Sequence, residues 1–96
     1  MAKKVYTIKE THYTLFGNRV REHEWTGTIE ELTEIFSYTL LVGESWQHER
    51  GNKKINRHPK TIQSLCTNLY NAQNNAARNG YSGYYYSVVE GGNNNG

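Results

Sequence analysis

Two stretches in which apolar residues recur at three- and four-residue intervals constrain the fold of this sequence most strongly. The first follows Thr28-Ile29-Glu30-Glu31, a spacing in which the Thr and Glu side chains cap each other's backbone N–H groups. Its apolar positions run from Ile29 to Leu40, and Gly43 is a natural stop. The second starts at Pro59, which suits a first helical turn. We therefore predict two amphipathic helices.

The second helical pattern has two different faces. One face is an apolar stripe, made up of Ile62, Leu65, Cys66, Leu69, Ala72 and Ala76. The opposite face is rich in amides, namely Asn68, Asn71, Asn74, Asn75 and Asn79. Asn is a poor helix former, so this number indicates that the amide side chains form hydrogen bonds to another group.

Segments rich in β-branched and aromatic residues surround the two helical patterns. Residues 5–16 and 19–25 flank Gly17-Asn18, which predicts a β-hairpin, and Tyr84 to Val89 predicts a third strand. The predicted fold class is α+β, with a small antiparallel sheet packed against two helices in the order β-β-α-α-β. We expect a single domain over residues 1–90 and a disordered tail over 91–96.

The supply of apolar side chains sets a limit on the core. Only 35% of the 96 residues are hydrophobic, and eight Tyr and two Trp outnumber two Phe. Aromatic rings with a polar group suit interfaces and ligand pockets as well as cores. A thin core with many such rings predicts a homo-oligomer.

Charge and cysteine content narrow the function classes. The formal net charge is +2, which is too low for a protein that coats DNA. The chain lacks Asp, the usual ligand in divalent-metal nucleotide chemistry, and its four His lack metal-ligand spacing, so we expect no cofactor. With one cysteine, Cys66, and no apolar run of membrane-spanning length or signal-peptide core, we expect a soluble, cytoplasmic protein.

The stretch 44–58 shows no periodicity and predicts a long polar loop. Long loops in small domains often carry function. This one combines cations, which bind phosphates, with an aromatic ring on which a base can stack, and further tyrosines follow the second helix. The predicted ligand-binding residues are Trp46, His48, Arg50, Lys53, Lys54, Arg57 and Tyr81.

The same loop contains the residue types of a metal-free ribonuclease: His48, Glu49, Arg50 and His58. Nothing in the spacing arranges these residues around one scissile bond, and the chain has no Gly-rich phosphate loop. Cys66 has apolar neighbours at helical spacing, so we interpret it as a buried hydrophobe rather than a nucleophile. We therefore expect no enzymatic activity, with a small ribonuclease as an alternative.

Four segments resemble small accessory proteins encoded by tailed bacteriophages, over roughly residues 26–90. They are 51–56 (Gly-Asn-Lys-Lys-Ile-Asn), 59–62 (Pro-Lys-Thr-Ile), 68–72 (Asn-Leu-Tyr-Asn-Ala) and 79–81 (Asn-Gly-Tyr). The resemblance implies stoichiometric binding, often against host defence, and it assigns no catalytic residues. It therefore favours a binding function over catalysis.

Two binding functions stay open at this point. In the first, a homo-oligomer sequesters an anionic, nucleotide-like ligand such as a cyclic nucleotide immune signal. In the second, the protein inhibits a host nuclease or CRISPR component through its Tyr-rich and amide-rich surfaces. The first is favoured, because the loop pairs cations with aromatic rings, whereas inhibitors that mimic nucleic acid are strongly acidic.

Overall fold

The computed structural model describes residues 4–14 and 16–89, and its fold is α+β as predicted. The elements in chain order are β1 (Tyr6–Tyr13), β2 (Arg19–Gly27), α1 (Ile29–Ile35), α2 (Ser37–Ser45), α3 (Ile62–Ala76) and β3 (Tyr84–Val88). The sheet is antiparallel with the strand order β2-β1-β3, so β1 is central. The predicted tail, residues 91–96, lies outside the described part of the chain.

The hairpin between β1 and β2 forms at the predicted turn. Gly17 has a φ of 84°, a left-handed conformation that glycine adopts without steric cost. The N–H of Thr14 donates to the carbonyl of Asn18 at 2.8 Å and closes the turn. This register places Ile8 opposite Trp25 in β2 and Val88 in β3, and all three pack in or against the hydrophobic core.

The first predicted helix is divided into α1 and α2, which corrects the continuous helix expected over 28–43. Its start is as predicted, since Thr28 Oγ1 accepts from the N–H of Glu31 at 3.1 Å and Glu31 Oε1 accepts from that of Thr28 at 2.8 Å. The break lies at Phe36, whose φ and ψ are −96° and 14°. The ring of Phe36 is 4.9 Å from that of Trp25 and 5.8 Å from that of Tyr86, so contacts with the sheet determine the break.

Gly43 does not end the helix, contrary to the prediction. It lies inside α2, where a Cβ atom would be 2.3 Å from the Cβ of Ala72 in α3. Position 43 requires glycine because α2 and α3 cross there, and α2 continues to Ser45.

The second predicted helix starts three residues later than expected. Thr61 is the N-cap of α3, and its side chain accepts from the N–H of Ser64 at 3.0 Å. The helix starts after Thr61 and not at Pro59, because the Thr61 hydroxyl accepts a capping hydrogen bond and proline has no side-chain acceptor. The predicted apolar stripe is buried from Ile62 to Ala72, but Ala76, the last helical residue, is exposed.

The core lies between the sheet and the three helices. Its buried residues are Ile8, Leu32, Phe36, Leu40, Ile55, Ile62, Leu65, Cys66, Leu69 and Ala72. Half of these belong to α3, and one, Ile55, comes from the segment predicted as a polar loop. None of the helices in the described residues is long and apolar enough to cross a membrane.

Candidate ligand-binding cleft

The segment between α2 and α3, residues 46–61, is the connecting loop. It starts two residues later than the predicted loop over 44–58, because Glu44 and Ser45 belong to α2. Asn75 of α3 binds the loop backbone through both ends of its amide: its Oδ1 accepts from the N–H of Lys53 at 3.0 Å, and its Nδ2 donates to the carbonyl of Lys53 at 2.8 Å. The same Nδ2 donates to the carbonyl of Gly43 at 3.1 Å, so Asn75 joins α2, the loop and α3.

Asn68, two helical turns before Asn75, binds the loop backbone through its Oδ1 alone, because its Nδ2 bonds within α3. Its Oδ1 accepts from the N–H of Asn56 at 2.8 Å, and its Nδ2 donates to the carbonyl of Ser64 at 2.8 Å. Seven residues of helix span about 10.5 Å, and the three residues from Lys53 to Asn56 span about 10 Å when extended. The two asparagines therefore match the length of the loop segment that they hold, and we call this pair the asparagine clamp.

The asparagine clamp shows which group accepts and donates the hydrogen bonds that the Asn-rich sequence of α3 predicts. The predicted hydrogen bonds exist for Asn68 and Asn75, and their partner is the protein's own loop. The prediction that these two lie on the face opposite the core is wrong, since both are buried. Between them, Ile55 enters the core at 4% exposure, and its N–H donates to Gln47 Oε1 at 3.0 Å.

A cleft lies between the first turn of the connecting loop and the C-terminal end of α3, and we call it the arginine cleft. Its volume is about 630 Å³, and it is lined by Trp46, Glu49, Arg50, Asn52, and residues 75–80. Trp46 is 47% exposed, so its indole belongs to the surface of this cleft and not to the core. The side chain of Asn52 donates to the Trp46 carbonyl at 2.7 Å and fixes the turn that carries both Trp46 and Arg50.

Two guanidinium groups give the arginine cleft its charge. Neither Arg50 nor Arg78 forms an ion pair with another described residue, and Glu49 is the one carboxylate in the lining. Sequence reasoning identified Arg50 and missed Arg78. The sequence signal for Arg78 was weak, because it is a single cation beside the predicted helix end at Asn79-Gly80, 28 positions after Arg50.

A second cleft of about 630 Å³ lies between α1 and the end of the connecting loop, and we call it the mixed cleft. It is lined by Ile29, Glu30, Thr33, Glu34, Ser37 and residues 57–60. Two of the predicted functional residues, Arg57 and His58, lie here. The Arg57 Nε atom is 3.3 Å from Glu44 Oε1, so its charge is already paired.

The remaining predicted site residues lie elsewhere. His48, Lys53 and Lys54 are exposed, and they line neither the arginine cleft nor the mixed cleft. Tyr81 belongs to a group that we call the tyrosine cluster: Tyr13, Tyr70, Tyr81 and Tyr85. The structure thus brings together Trp46 and Arg50 among the predicted residues and separates the others.

The tyrosine cluster is centred on Tyr85. Its ring is 5.5 Å from those of Tyr13 and Tyr70, and its hydroxyl is 2.7 Å from that of Tyr81. The hydrogen bond with Tyr81 is the main cause that raises the pKa of Tyr85 to about 12. The cluster is therefore a phenol-rich surface centred on Tyr85.

The other shifted groups are inside the fold. Burial raises the pKa of the Cys66 thiol to about 11, so the thiolate that a nucleophile needs is disfavoured, in line with the sequence interpretation. Burial also raises the pKa of Tyr86, whose hydroxyl donates to Glu10 Oε2 at 2.5 Å and accepts from Gln73 Nε2 at 3.0 Å. In the described residues, no group of three or more His, Cys, Asp or Glu side chains is placed to hold a metal ion.

Comparisons with protein families, with curated proteins and with solved structures give no match to this chain.

Proposed function

We propose that this chain is a non-enzymatic binding protein that holds an anionic, nucleotide-like ligand in the arginine cleft. The observation that carries the proposal is the convergence of Trp46, Arg50 and Arg78 on one cleft, with both guanidinium groups free of ion pairs to described residues. A guanidinium binds phosphate oxygens through two parallel hydrogen bonds, and an indole face stacks on a base. The volume of about 630 Å³ suits a small ligand.

One local effect opposes an anion in this cleft. The lining includes Asn75, Ala76 and Ala77 at the C-terminal end of α3, where the helix dipole is negative. Such a dipole is worth about 0.3–1 kcal/mol at a surface. A charge-assisted contact from one arginine contributes about 1.5–3 kcal/mol, so two arginines outweigh the dipole.

The mixed cleft is less suited to the same ligand. Glu30 and Glu34 face the cations at its opposite wall, and Arg57 is already paired with Glu44. A phosphate there would meet carboxylate repulsion and would compete with an existing ion pair. The arginine cleft has the better charge balance for an anion.

The separation of the loop residues supports binding rather than hydrolysis. His58 lines the mixed cleft, whereas Glu49 and Arg50 line the arginine cleft, so these residue types do not surround one point. Together with the resemblance to phage accessory proteins, this arrangement favours sequestration of a nucleotide signal as the biological role.

Direct binding measurements test the proposal. The absorbance ratio at 260 and 280 nm of the purified protein reveals a co-purified nucleotide, and calorimetry with a cyclic dinucleotide, ADP-ribose and inorganic pyrophosphate tests binding in solution. For the probe that binds, we expect Arg50→Ala and Arg78→Ala each to raise the Kd roughly tenfold to a hundredfold.

Two further variants make the test specific. Lys54→Ala removes an exposed cation outside both clefts, so it should leave the Kd within about twofold. Trp46→Ala should cost about 1–3 kcal/mol of binding if the indole stacks on a base, with little change in Tm. The proposal fails if no probe binds, or if Lys54→Ala weakens binding as much as the two arginine variants.

The tyrosine cluster supports a second candidate function, stoichiometric inhibition of a host nuclease or CRISPR component. Tyr81 and Tyr85 are each 39% exposed, and tyrosine is enriched at protein interfaces. Under this alternative, Tyr81→Ser abolishes inhibition of the target nuclease while Arg50→Ala and Arg78→Ala have no effect. The opposite pattern supports the arginine cleft.

A further inference from the structure

The mixed cleft lies between two walls of opposite charge. One wall is the face of α1 that carries Glu30, Thr33 and Glu34, which lie together because residues three and four apart are neighbours on a helix. The other wall is the end of the connecting loop, residues 57–60, where Lys60 supplies a positive charge. A single ligand in this cleft therefore meets carboxylates on one side and a cation on the other.

The loop wall is held in place by the protein's own side chains. The N–H of Asn56 is bound by the asparagine clamp, and Asn56 Oδ1 accepts from the N–H of His58 at 2.9 Å. Arg57 is paired with Glu44 of α2, and Pro59 is buried. Because the wall is fixed before a ligand arrives, binding does not have to order the loop.

The fold itself does not use the charges of Glu34 and Lys60. Both side chains are exposed, and neither forms an ion pair with another described residue. They also do not pair with each other, although both line the same cleft. Opposite charges that lie on facing walls without meeting are placed to bind the two ends of a ligand that carries both charges.

Thr33 adds a polar group to the carboxylate wall. Its Oγ1 atom is buried and has no hydrogen-bond partner in the described residues. A buried hydroxyl without a partner is unfavourable. Because a helical threonine has two accessible χ1 rotamers, this hydroxyl can turn to a hydrogen-bonding group that enters the cleft.

We propose that the mixed cleft binds a zwitterionic amino acid with an aliphatic side chain. The ammonium group lies against Glu34, the carboxylate lies against Lys60, and the side chain contacts Ile29 and Pro59, the apolar part of the lining. A simple anion would be repelled by Glu34 and a simple cation by Lys60, so the cleft selects a molecule with both charges. The inference is independent of the ligand proposed for the arginine cleft.

Three probes that differ in their charged groups test the proposal. L-leucine carries both charges, 4-methylpentanoate lacks the ammonium group, and 3-methylbutylamine lacks the carboxylate. Backbone-amide chemical shifts of the full chain, titrated with each probe at neutral pH and low salt, give both the Kd and the location of the site. We expect L-leucine to shift residues 57–60 and the Glu34 amide and to bind about tenfold more tightly than either of the other probes.

Two substitutions remove one charge each from the cleft. Glu34→Gln and Lys60→Gln should each raise the Kd of L-leucine about tenfold. Because each also removes a repulsion, Glu34→Gln should bind 4-methylpentanoate more tightly than the wild type does, and Lys60→Gln should do the same for 3-methylbutylamine. Glu49→Gln and Lys54→Gln are the matched controls, since neither side chain lines the mixed cleft, and they should leave the Kd of L-leucine within about twofold.

Three outcomes overturn the proposal. The first is that L-leucine at about 10 mM shifts none of residues 57–60 in the wild type. The second is that 4-methylpentanoate or 3-methylbutylamine binds the wild type as tightly as L-leucine does. The third is that Lys54→Gln raises the Kd of L-leucine as much as Lys60→Gln, which would place the contribution in the overall charge of the chain and not in the cleft.

Discussion

At the scale of single residues, the contact between Gly43 and Ala72 determines how closely α2 and α3 approach. A Cβ at position 43 would be 2.3 Å from the Cβ of Ala72 and 2.4 Å from its Cα, and the backbone atom cannot move aside cheaply. We therefore expect Gly43→Ala to lower the free energy of unfolding by about 2–4 kcal/mol, as other overpacked sites in cores do. Urea denaturation measures the change.

Gly51→Ala is the control for this prediction. Gly51 also lacks a side chain, but no heavy atom lies within 4 Å of the Cβ position, and its φ is 72°. The cost there arises from the left-handed backbone alone, about 1 kcal/mol. If both variants lose the same stability, the close approach of α2 and α3 is not the reason for the glycine at position 43.

At the scale of elements, the asparagine clamp joins the connecting loop to α3. Asn75→Ala leaves the N–H of Lys53 and the carbonyls of Lys53 and Gly43 without their partner. The bond to Gly43 is buried, and a buried group left unpaired costs about 1–3 kcal/mol, whereas the two bonds to Lys53 are part-buried and each contributes less. We therefore expect a loss of about 2–4 kcal/mol of stability, with faster exchange of the Lys53 amide. Because Asn75 also lines the arginine cleft, ligand binding should weaken with it.

Asn71 provides the matched control on the same helix. Its side chain forms no hydrogen bond with another described residue, so Asn71→Ala breaks no contact of the kind that Asn75 makes. Since Ala is the better helix former, we expect a gain in stability of at most about 0.7 kcal/mol. Equal destabilisation by Asn71→Ala and Asn75→Ala would contradict a specific clamp.

At the scale of the whole molecule, groups that keep a proton in the folded state make the free energy of unfolding depend on pH in the alkaline range. Burial raises the pKa of Cys66 from 9.0 to about 11, and the pKa values of Tyr85 and Tyr86 are also raised from 10.0. Because the folded state holds these protons more tightly, the stabilisation from Cys66 is complete below about pH 9 and is lost as pH rises through about 11. The stabilisation from the tyrosines is complete below about pH 10 and is lost at higher pH. Unfolding free energies measured between pH 7 and 11 should fall from pH 9 upward.

The variant Cys66→Ala distinguishes the contribution of the thiol to this pH dependence from that of the tyrosines. The variant should lose the decline that begins near pH 9 and keep the decline that begins near pH 10, whatever its stability at pH 7. An unchanged slope between pH 9 and 10 would show that Cys66 titrates alike in the folded and unfolded chains.

The sequence by itself determined the features that depend on residues close together in the chain. The hairpin turn at Gly17, the capping box from Thr28 to Glu31 and the apolar stripe that starts at Ile62 were all predicted and are all present. Their physical basis is local, since periodicity, capping and turn conformation involve residues within about four positions of one another. The α+β fold class follows from the order of these elements.

Only the tertiary structure decided the rest, because the contacts involved join distant segments. The break at Phe36 depends on packing against the sheet, and the glycine at 43 is needed because Ala72 lies against it. Trp46 and Arg50 share a cleft with Arg78, since Asn75 and Asn52 fix the loop beside the end of α3. Arg57, four residues after Lys53, is directed to the mixed cleft because the clamp extends the chain between them. Composition indicated that cations and aromatic rings were present, and the side-chain amides of α3 determined which of them meet.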